Sequence, residues 1–101
     1  MKRYSIITNN LERCIECGNK NVELHEVFFG KNRNKSIEDG LVIPLCKNFH
    51  HRGNLIGIHQ DKELNLKYKR IAQKKWLEYY NKTTDDWIKR YGRNYIWKAN
   101  T

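Results

Sequence analysis

Apolar residues in the first half of the chain fall in short runs that are typical of strands. Residues 21–29, "NVELHEVFF", alternate and are apolar enough to predict one strand. Residues 41–46, "LVIPLC", predict a second, buried strand in which Pro44 marks an edge or a bend. Residues 3–7 are a further strand candidate. The polar residues 30–40, which separate the two main strands, are predicted to form a loop.

From Asp61 onward the apolar spacing becomes that of a helix, in which every third or fourth residue shares a face. The predicted core face carries Leu64, Tyr68, Ile71, Ala72, Trp76 and Tyr79, and the remainder carries Lys67, Lys69, Arg70 and Lys74. Thr84, followed by two aspartates, predicts the N-cap of a second short helix that ends at Gly92. Residues 47–59 fit either the start of a helix or a loop, and residues 93–97 either a final strand or an extended tail.

The length and the charge of the chain narrow its class. With 101 residues and 39% hydrophobic content, it is expected to form one domain whose small core needs a staple such as a metal ion. The formal net charge of +9 favours nucleic acid as the partner. No apolar run approaches the roughly 20 residues that cross a bilayer, and the first residues lack the apolar stretch of a signal peptide. The protein is therefore expected to be cytoplasmic, without a membrane partner.

The three cysteines have the spacing of metal ligands. Two residues separate Cys14 from Cys17, which allows both sulfurs to reach one tetrahedral ion. Cys46 is followed closely by His50 and supplies a second pair beyond the predicted strands. An odd number of cysteines in a reducing compartment indicates a metal rather than a disulfide. The pattern predicts a structural zinc held by three cysteines and one histidine, with His50 preferred to His51 as the fourth ligand.

A second group of reactive side chains lies at the ends of the same two-stranded segment. Its members are His25, Glu26 and His51, with His59 as a further candidate ligand. Pairing of the two strands is expected to bring the end of the first beside the residues that follow the second. A site lined by oxygen and imidazole suits a divalent ion that binds phosphate, such as Mg²⁺ or Mn²⁺, with Zn²⁺ or Ni²⁺ as alternatives.

The order Cys-x2-Cys, then His-Glu at a strand end, then Leu-Cys-x3-His-His resembles that of the HNH endonucleases. These are ββα-metal, or His-Me finger, nucleases built on a treble-clef zinc scaffold, and residues 14–59 are similar to the short HNH-like proteins of bacteriophages and prophages. The resemblance implies an α+β fold, with a zinc-bound ββα core at about residues 12–60 and a basic helical extension at about residues 61–92. It also implies a DNA endonuclease that hydrolyses phosphodiester bonds with a divalent ion.

The resemblance also assigns roles to residues. The family alignment places His25 at a metal-ligand position, Glu26 at the general-base position and His51 at the ligand position of the following helix. A shift by one residue makes His25 the base and lets Glu26 reach the ion, and both assignments stay open. Either Asn34 or Asp39 is in a position to orient the base.

Contacts with DNA are expected from basic residues around this site. They are Lys31, Arg33 and Lys35 between the strands, Arg52 beside the site, and Lys67, Arg70 and Lys74 on the basic side of the helix. Such contacts with phosphate position a nucleic acid without reading its sequence. The competing hypothesis is a zinc-stapled nucleic-acid-binding module whose nuclease site has decayed.

Overall fold

A computed structural model describes residues 3–47 and 61–96 of the chain. Within these residues two strands and three α-helices follow one another in the order β1 (Val22–Glu26), α1 (Arg33–Asp39), β2 (Val42–Cys46), α2 (Lys62–Tyr79) and α3 (Thr84–Tyr91), with a 3-10 turn (Gly30–Asn32) before α1. The predicted α+β class is therefore confirmed at the level of a two-stranded sheet with helices. In the described segments, no helix combines the length and the apolar character needed to cross a membrane.

The sheet is an antiparallel pair in which β1 and β2 run from Val22 opposite Cys46 to Glu26 opposite Val42. Every residue of β2 is buried. Pro44 is tolerated within this buried strand because its carbonyl points away from β1 and accepts a hydrogen bond from the Ile15 amide at 2.9 Å. The nitrogen of the same residue faces that outer edge too, so its missing N–H removes no hydrogen bond between the strands.

The predicted loop at residues 30–40 is wrong, because this segment contains the 3-10 turn and α1. Its polar composition conceals a helix whose inward face is formed by Ser36 and Ile37, which are both buried. The Ser36 hydroxyl donates to the Leu41 carbonyl at 2.6 Å and accepts from the Phe28 amide at 3.3 Å. This serine therefore links the chain entering β2 with the chain leaving β1. Residues 3–7, the third strand candidate, do not form a strand.

Helix α2 confirms the helical prediction and most of its core face. Asp61 caps it by accepting hydrogen bonds from two amides of its first turn. Tyr68, Ala72 and Trp76 are buried, and Leu64 and Ile71 pack at the margin of the core. Tyr79 is instead 65% exposed. The buried row advances by four residues at each step from Tyr68, so the core position of the last turn belongs to Tyr80, which packs against the core.

The core lies between the sheet and helices α2 and α3, and its centre is aromatic. Trp87 is fully buried and stacks on Tyr91 with ring centroids 4.1 Å apart. Phe28, which follows β1, meets Trp87 edge to face at 5.3 Å, and Trp76 of α2 does the same at 5.3 Å. Buried aromatic pairs of this kind add about 0.5–1.5 kcal/mol each beyond the area that they remove from water. They attach α3 to the sheet.

The N-cap of α3 is Thr83 and not the predicted Thr84. The Thr83 hydroxyl accepts a hydrogen bond from the Asp86 amide at 3.2 Å, and the Asp86 carboxylate accepts one from the Thr83 amide at 3.0 Å. This is a capping box, in which the two residues satisfy each other's backbone donors. The Asp86 carboxylate also accepts a hydrogen bond from the Thr83 hydroxyl at 3.0 Å, and its hydrogen bonds from the Thr83 amide and hydroxyl lower the pKa of Asp86. The box therefore stabilises the fold at neutral pH, and its contribution is lost as the pH falls through the folded-state pKa of that carboxyl.

Replacement of Thr83 by alanine is expected to lower the free energy of unfolding by about 1 kcal/mol, because one amide at the start of α3 loses its acceptor. The Thr84→Ala variant is the matched control, since Thr84 is an exposed residue within the helix. Urea denaturation followed by tryptophan fluorescence measures both variants. Equal destabilisation by the two substitutions would contradict the assignment of the cap to Thr83.

Candidate metal centre and its surroundings

Three thiols converge at one end of the sheet. The sulfurs of Cys14, Cys17 and Cys46 all lie within 4.8 Å of one another, and those of Cys17 and Cys46 are 3.8 Å apart. Two sulfurs bound at about 2.3 Å to a tetrahedral zinc ion lie about 3.8 Å from each other. The predicted convergence of the cysteines is thus confirmed, and their spacing fits a structural metal such as zinc.

The turn that carries the first two cysteines is built by backbone hydrogen bonds. The Gly18 amide donates to the Cys14 carbonyl at 2.8 Å, and the Cys14 amide donates to the Asn19 carbonyl at 2.8 Å. Gly18 has a φ of +79°, a left-handed conformation that glycine adopts without strain. The amide of Ile15 then ties this turn to β2 at Pro44, two residues before Cys46. Backbone hydrogen bonds therefore fix the position of the turn relative to β2.

Helix α2 also contacts this turn, through Glu16. The Glu16 carboxylate accepts hydrogen bonds from the Tyr68 hydroxyl and, at 3.0 Å, from the Lys67 ammonium. Burial, followed by the hydrogen bond to Glu16, raises the pKa of Tyr68 well above its usual range, so the phenol stays protonated and continues to donate. The thiol cluster is thereby connected both to β2 and to α2.

Nearby backbone groups, burial and the neighbouring thiols have opposing effects on the pKa of each cysteine. Burial raises the pKa of Cys14, but backbone hydrogen bonds involving Cys46, Glu16 and Cys17 outweigh it and lower the pKa overall. For Cys17, the hydrogen bond from the Asn19 backbone lowers the pKa, whereas burial and the neighbouring thiols raise it more. Amides directed at a sulfur stabilise its thiolate form, which is the form that binds metal.

The predicted fourth ligand lies outside the described residues. Residues 48–60 contain His50, His51, Arg52 and His59. The roles predicted for these four residues therefore stay predictions. Among residues 3–47 and 61–96, the three cysteines form the one group of three or more potential ligands that converges. Zinc bound to these three thiolates requires one more donor to complete a tetrahedron.

His25 and Glu26, the predicted catalytic pair, have different neighbours. His25 is 4% exposed in β1, lies opposite Ile43 and has its ring centroid 6.0 Å from that of Phe29. The Glu26 carboxylate instead accepts hydrogen bonds from Arg3 at 2.8 Å and from Arg33 at 3.0 Å. Successive side chains of a strand point to opposite faces. The strand thus directs the two residues apart, although they are adjacent in the sequence.

The two residues that were candidates to orient the base have different surroundings. Asp39 is buried at the end of α1, and its carboxylate accepts hydrogen bonds from Trp76, Arg90 and Tyr91. These partners belong to α2 and α3, so Asp39 connects three helices. Asn34 lies exposed in α1 and lines an open cleft with Arg3 and Arg33, the partners of Glu26.

Four of the six predicted DNA-contacting residues within the described segments bond to other parts of the protein. Lys31 and Lys74 are exposed, whereas Lys35 donates to the Arg90 carbonyl at 2.7 Å. Arg33 pairs with Glu26, Lys67 with Glu16, and Arg70 donates to the Tyr95 carbonyl at 3.2 Å. The side chains of Arg33 and Lys67 are themselves 51% and 54% exposed, so a phosphate can reach their cationic groups. Arg70 and Lys74 also line an open cleft of about 370 Å³ beside α2.

Three residues lie beside the predicted site but were not among its predicted members: Arg3, Phe29 and Lys69. Arg3 contacts Glu26 from a segment that was expected to be a separate strand. Lys69 was assigned to the solvent-facing side of α2, but it is half-buried, with its ammonium 5.6 Å from the centre of the Phe29 ring. The alternating pattern of residues 21–29 indicates that one of Phe28 and Phe29 is exposed. The sequence does not show which residues lie next to it.

Comparisons with known proteins give no match, whether with a family model, a curated protein or a solved structure. A function for the chain therefore has to be inferred from its own residues and their geometry.

Proposed function

We propose that this protein is a zinc-stabilised, metal-dependent endonuclease that hydrolyses phosphodiester bonds of DNA. The observation that carries the proposal is the position of the thiol cluster and of His25 on one antiparallel strand pair. Cys46 lies opposite Val22 at one end of β1, and His25 lies opposite Ile43 roughly 10 Å further along the strand. The HNH-like order of the cysteines and histidines and the net charge of +9 support the same function.

The structural role belongs to the thiols. Cys14, Cys17 and Cys46, with His50 as the preferred fourth ligand, would hold zinc and so join the cysteine turn to β2. The site fits the ion because its sulfurs already have the separation that a tetrahedral zinc requires. Zinc in a closed site of this kind contributes folding free energy and takes no part in the reaction.

The catalytic role falls to His25, with His51 as its proposed partner. Two guanidinium groups occupy about half of the acceptor sites of the Glu26 carboxylate, which leaves it less available to water or a metal ion, so Glu26 is the weaker candidate for the base. His25 would orient a water molecule and accept its proton, since imidazole exchanges protons near neutral pH. A divalent ion, when bound, would neutralise charge on the scissile phosphate and on the departing 3′ oxygen. Glu26 would position Arg3 and Arg33 beside the strand end.

A plasmid-nicking assay with Mg²⁺ or Mn²⁺ tests the proposal. The zinc-loaded wild type is expected to nick plasmid DNA, and His25→Asn and His51→Ala are each expected to slow nicking by about 100-fold or more, because a general base or a metal ligand is lost. Lys82→Ala removes one exposed cation from the segment between α2 and α3 and is expected to cut like the wild type. Zinc content and melting temperature are measured for each variant, so that loss of folding is distinguished from loss of chemistry.

A second candidate function is a nucleic-acid-binding module without nuclease activity. Two observations favour it: the 4% exposure of His25, since a base must reach water, and the two arginine partners of Glu26. This function predicts that the wild type retards DNA in a gel and that binding weakens steeply with salt. It also predicts that neither the wild type nor the histidine variants cut. Nicking by the wild type that is lost in His51→Ala would exclude it.

A further inference from the structure

Phe29 is a large aromatic residue that the fold leaves half in water. The residue is 48% exposed, although the preceding residue, Phe28, is buried in the core. Single exposed apolar residues are common on protein surfaces and need no explanation by themselves. Phe29 differs from the other exposed residues of this kind in its neighbours, because the ring of His25 lies 6.0 Å away.

One cation lies over the same ring and also over the ring of Tyr95, which a second cation contacts. The Lys69 ammonium lies 5.6 Å from the centre of the Phe29 ring and 5.5 Å from that of Tyr95, and the guanidinium carbon of Arg93 lies 5.5 Å from the Tyr95 ring. We call Phe29, Lys69, Arg93 and Tyr95 the aromatic patch. It combines two rings with two cations at the surface next to His25. Such a combination is what a nucleotide needs, since its base stacks on a ring and its phosphate binds a cation.

The charge of the aromatic patch also favours an anion. Burial lowers the pKa of Lys69, and the positive charge of Arg93 lowers it further. Two cations held close to one another repel, and this repulsion is relieved when a phosphate binds between or beside them. Within residues 3–47 and 61–96, Lys69 forms no ion pair with a carboxylate.

We propose that the exposed ring of Phe29 stacks on an unpaired nucleobase of a DNA strand, whose phosphates are held by Lys69 and Arg93. This inference rests on the proposed function in one respect, because it places the bound strand beside His25. It specifies the substrate as single-stranded or locally unpaired DNA. The bases of an intact duplex have both faces covered by their neighbours and cannot stack on a protein ring without unstacking.

Binding of three labelled oligonucleotides to the zinc-loaded protein tests the proposal by fluorescence anisotropy, without added Mg²⁺ or Mn²⁺. They are a single strand, the same strand with abasic sites at its centre, and the matched duplex. Phe29→Leu keeps an apolar side chain but removes the aromatic face, and Phe29→Tyr keeps the face. Tyr79→Leu is the matched control, since Tyr79 is an exposed aromatic residue at the end of α2.

Phe29→Leu is expected to weaken binding of the single strand about tenfold, the order of magnitude of one base–aromatic stack. Phe29→Tyr and Tyr79→Leu are expected to bind like the wild type, and the abasic strand and the duplex are expected to bind Phe29→Leu and the wild type alike. Unchanged binding of the single strand by Phe29→Leu, or an equal loss on the abasic strand, would overturn the stacking role.

The outcome separates this inference from the proposed function. If Phe29→Leu loses base-dependent binding while the wild type does not nick DNA, the endonuclease is overturned and the stacking role of the aromatic patch is kept. If the wild type nicks DNA and Phe29→Leu binds the single strand like the wild type, the endonuclease is kept and the stacking role of the aromatic patch is overturned. If the wild type binds none of the three oligonucleotides, the stacking role is overturned whatever the nicking assay shows.

Discussion

Removal of zinc is expected to abolish cooperative folding of this protein. The purified wild type should contain one zinc ion per chain, and chelation or the Cys17→Ser substitution should eliminate the near-ultraviolet circular dichroism of the buried tryptophans Trp76 and Trp87. Structural zinc sites supply about 10 kcal/mol or more of apparent binding free energy, which is comparable to the about 5–15 kcal/mol that stabilises a whole domain. The three thiols lie where the cysteine turn meets β2, so an ion bound to them would support the sheet itself.

Two controls accompany this prediction. Return of zinc to the chelated wild type should restore the circular dichroism signal. Cys17→His should retain zinc and most of the stability, because histidine is also a zinc ligand and Cys17 is exposed, with room for a larger side chain. A wild type that is purified without zinc and melts at the same temperature before and after chelation would exclude a structural metal at this cluster.

The substitution Asp39→Ala is expected to cause the second largest loss of stability. The Asp39 carboxylate, which is almost fully buried, accepts from Trp76 Nε1 at 2.9 Å, from Arg90 Nε at 2.6 Å and from the Tyr91 hydroxyl at 2.7 Å. Alanine would leave all three donors without this acceptor in a largely buried setting. We expect the free energy of unfolding to fall by about 3 kcal/mol and the melting temperature by roughly 10–20 °C.

The adjacent residue provides the control. Glu38 accepts a hydrogen bond from the same arginine, Arg90, at 3.0 Å, but its side chain is 53% exposed. Glu38→Ala should therefore change the free energy of unfolding by less than about 0.5 kcal/mol. Thermal and urea denaturation measure both variants. Similar losses in the two variants would show that the buried hydrogen bonds of Asp39 contribute no more to stability than the exposed ion pair of Glu38.

The Asp39 hydrogen bonds also fix the protonation of their donors. Burial, followed by the hydrogen bond to Asp39, raises the pKa of Tyr91 well above its usual range, and the carboxylate likewise raises the pKa of Arg90. Both donors therefore stay protonated at neutral pH. Residues 30–40 were predicted as a loop, yet this carboxylate makes the end of α1 one of the most strongly connected points of the structure.

Local signals predicted much of the metal centre and of the secondary structure. The positions of β1 and β2, the start of α2 near Asp61 and the end of α3 at Gly92 all follow from patterns within a few residues. The spacing of Cys14 and Cys17 likewise indicates a shared ion, because two intervening residues suffice for a turn that directs both sulfurs the same way. Such features need no information about distant parts of the chain.

Other features depend on contacts between residues far apart in the sequence. The sequence alone shows no partner for Glu26, but in the structure Glu26 pairs with Arg3, which is 23 positions away in the chain. Gln73 was not assigned to the core, yet it is fully buried because its amide bonds to the backbone of Tyr95 and to the side chain of Asn94. A polar side chain enters a core only when a partner is present there, and the partner comes from the tertiary structure.

The sequence by itself determined the antiparallel strand pair, the long amphipathic helix and the cysteines that share one site, since each is encoded by spacing along the chain. Only the tertiary structure decided that residues 33–39 form a helix, that Asp39 joins three helices, and that Lys69 and Phe29 meet beside His25. The physical reason is that hydrophobic periodicity specifies which face of an element is buried, whereas the identity of its neighbours depends on how the elements pack together.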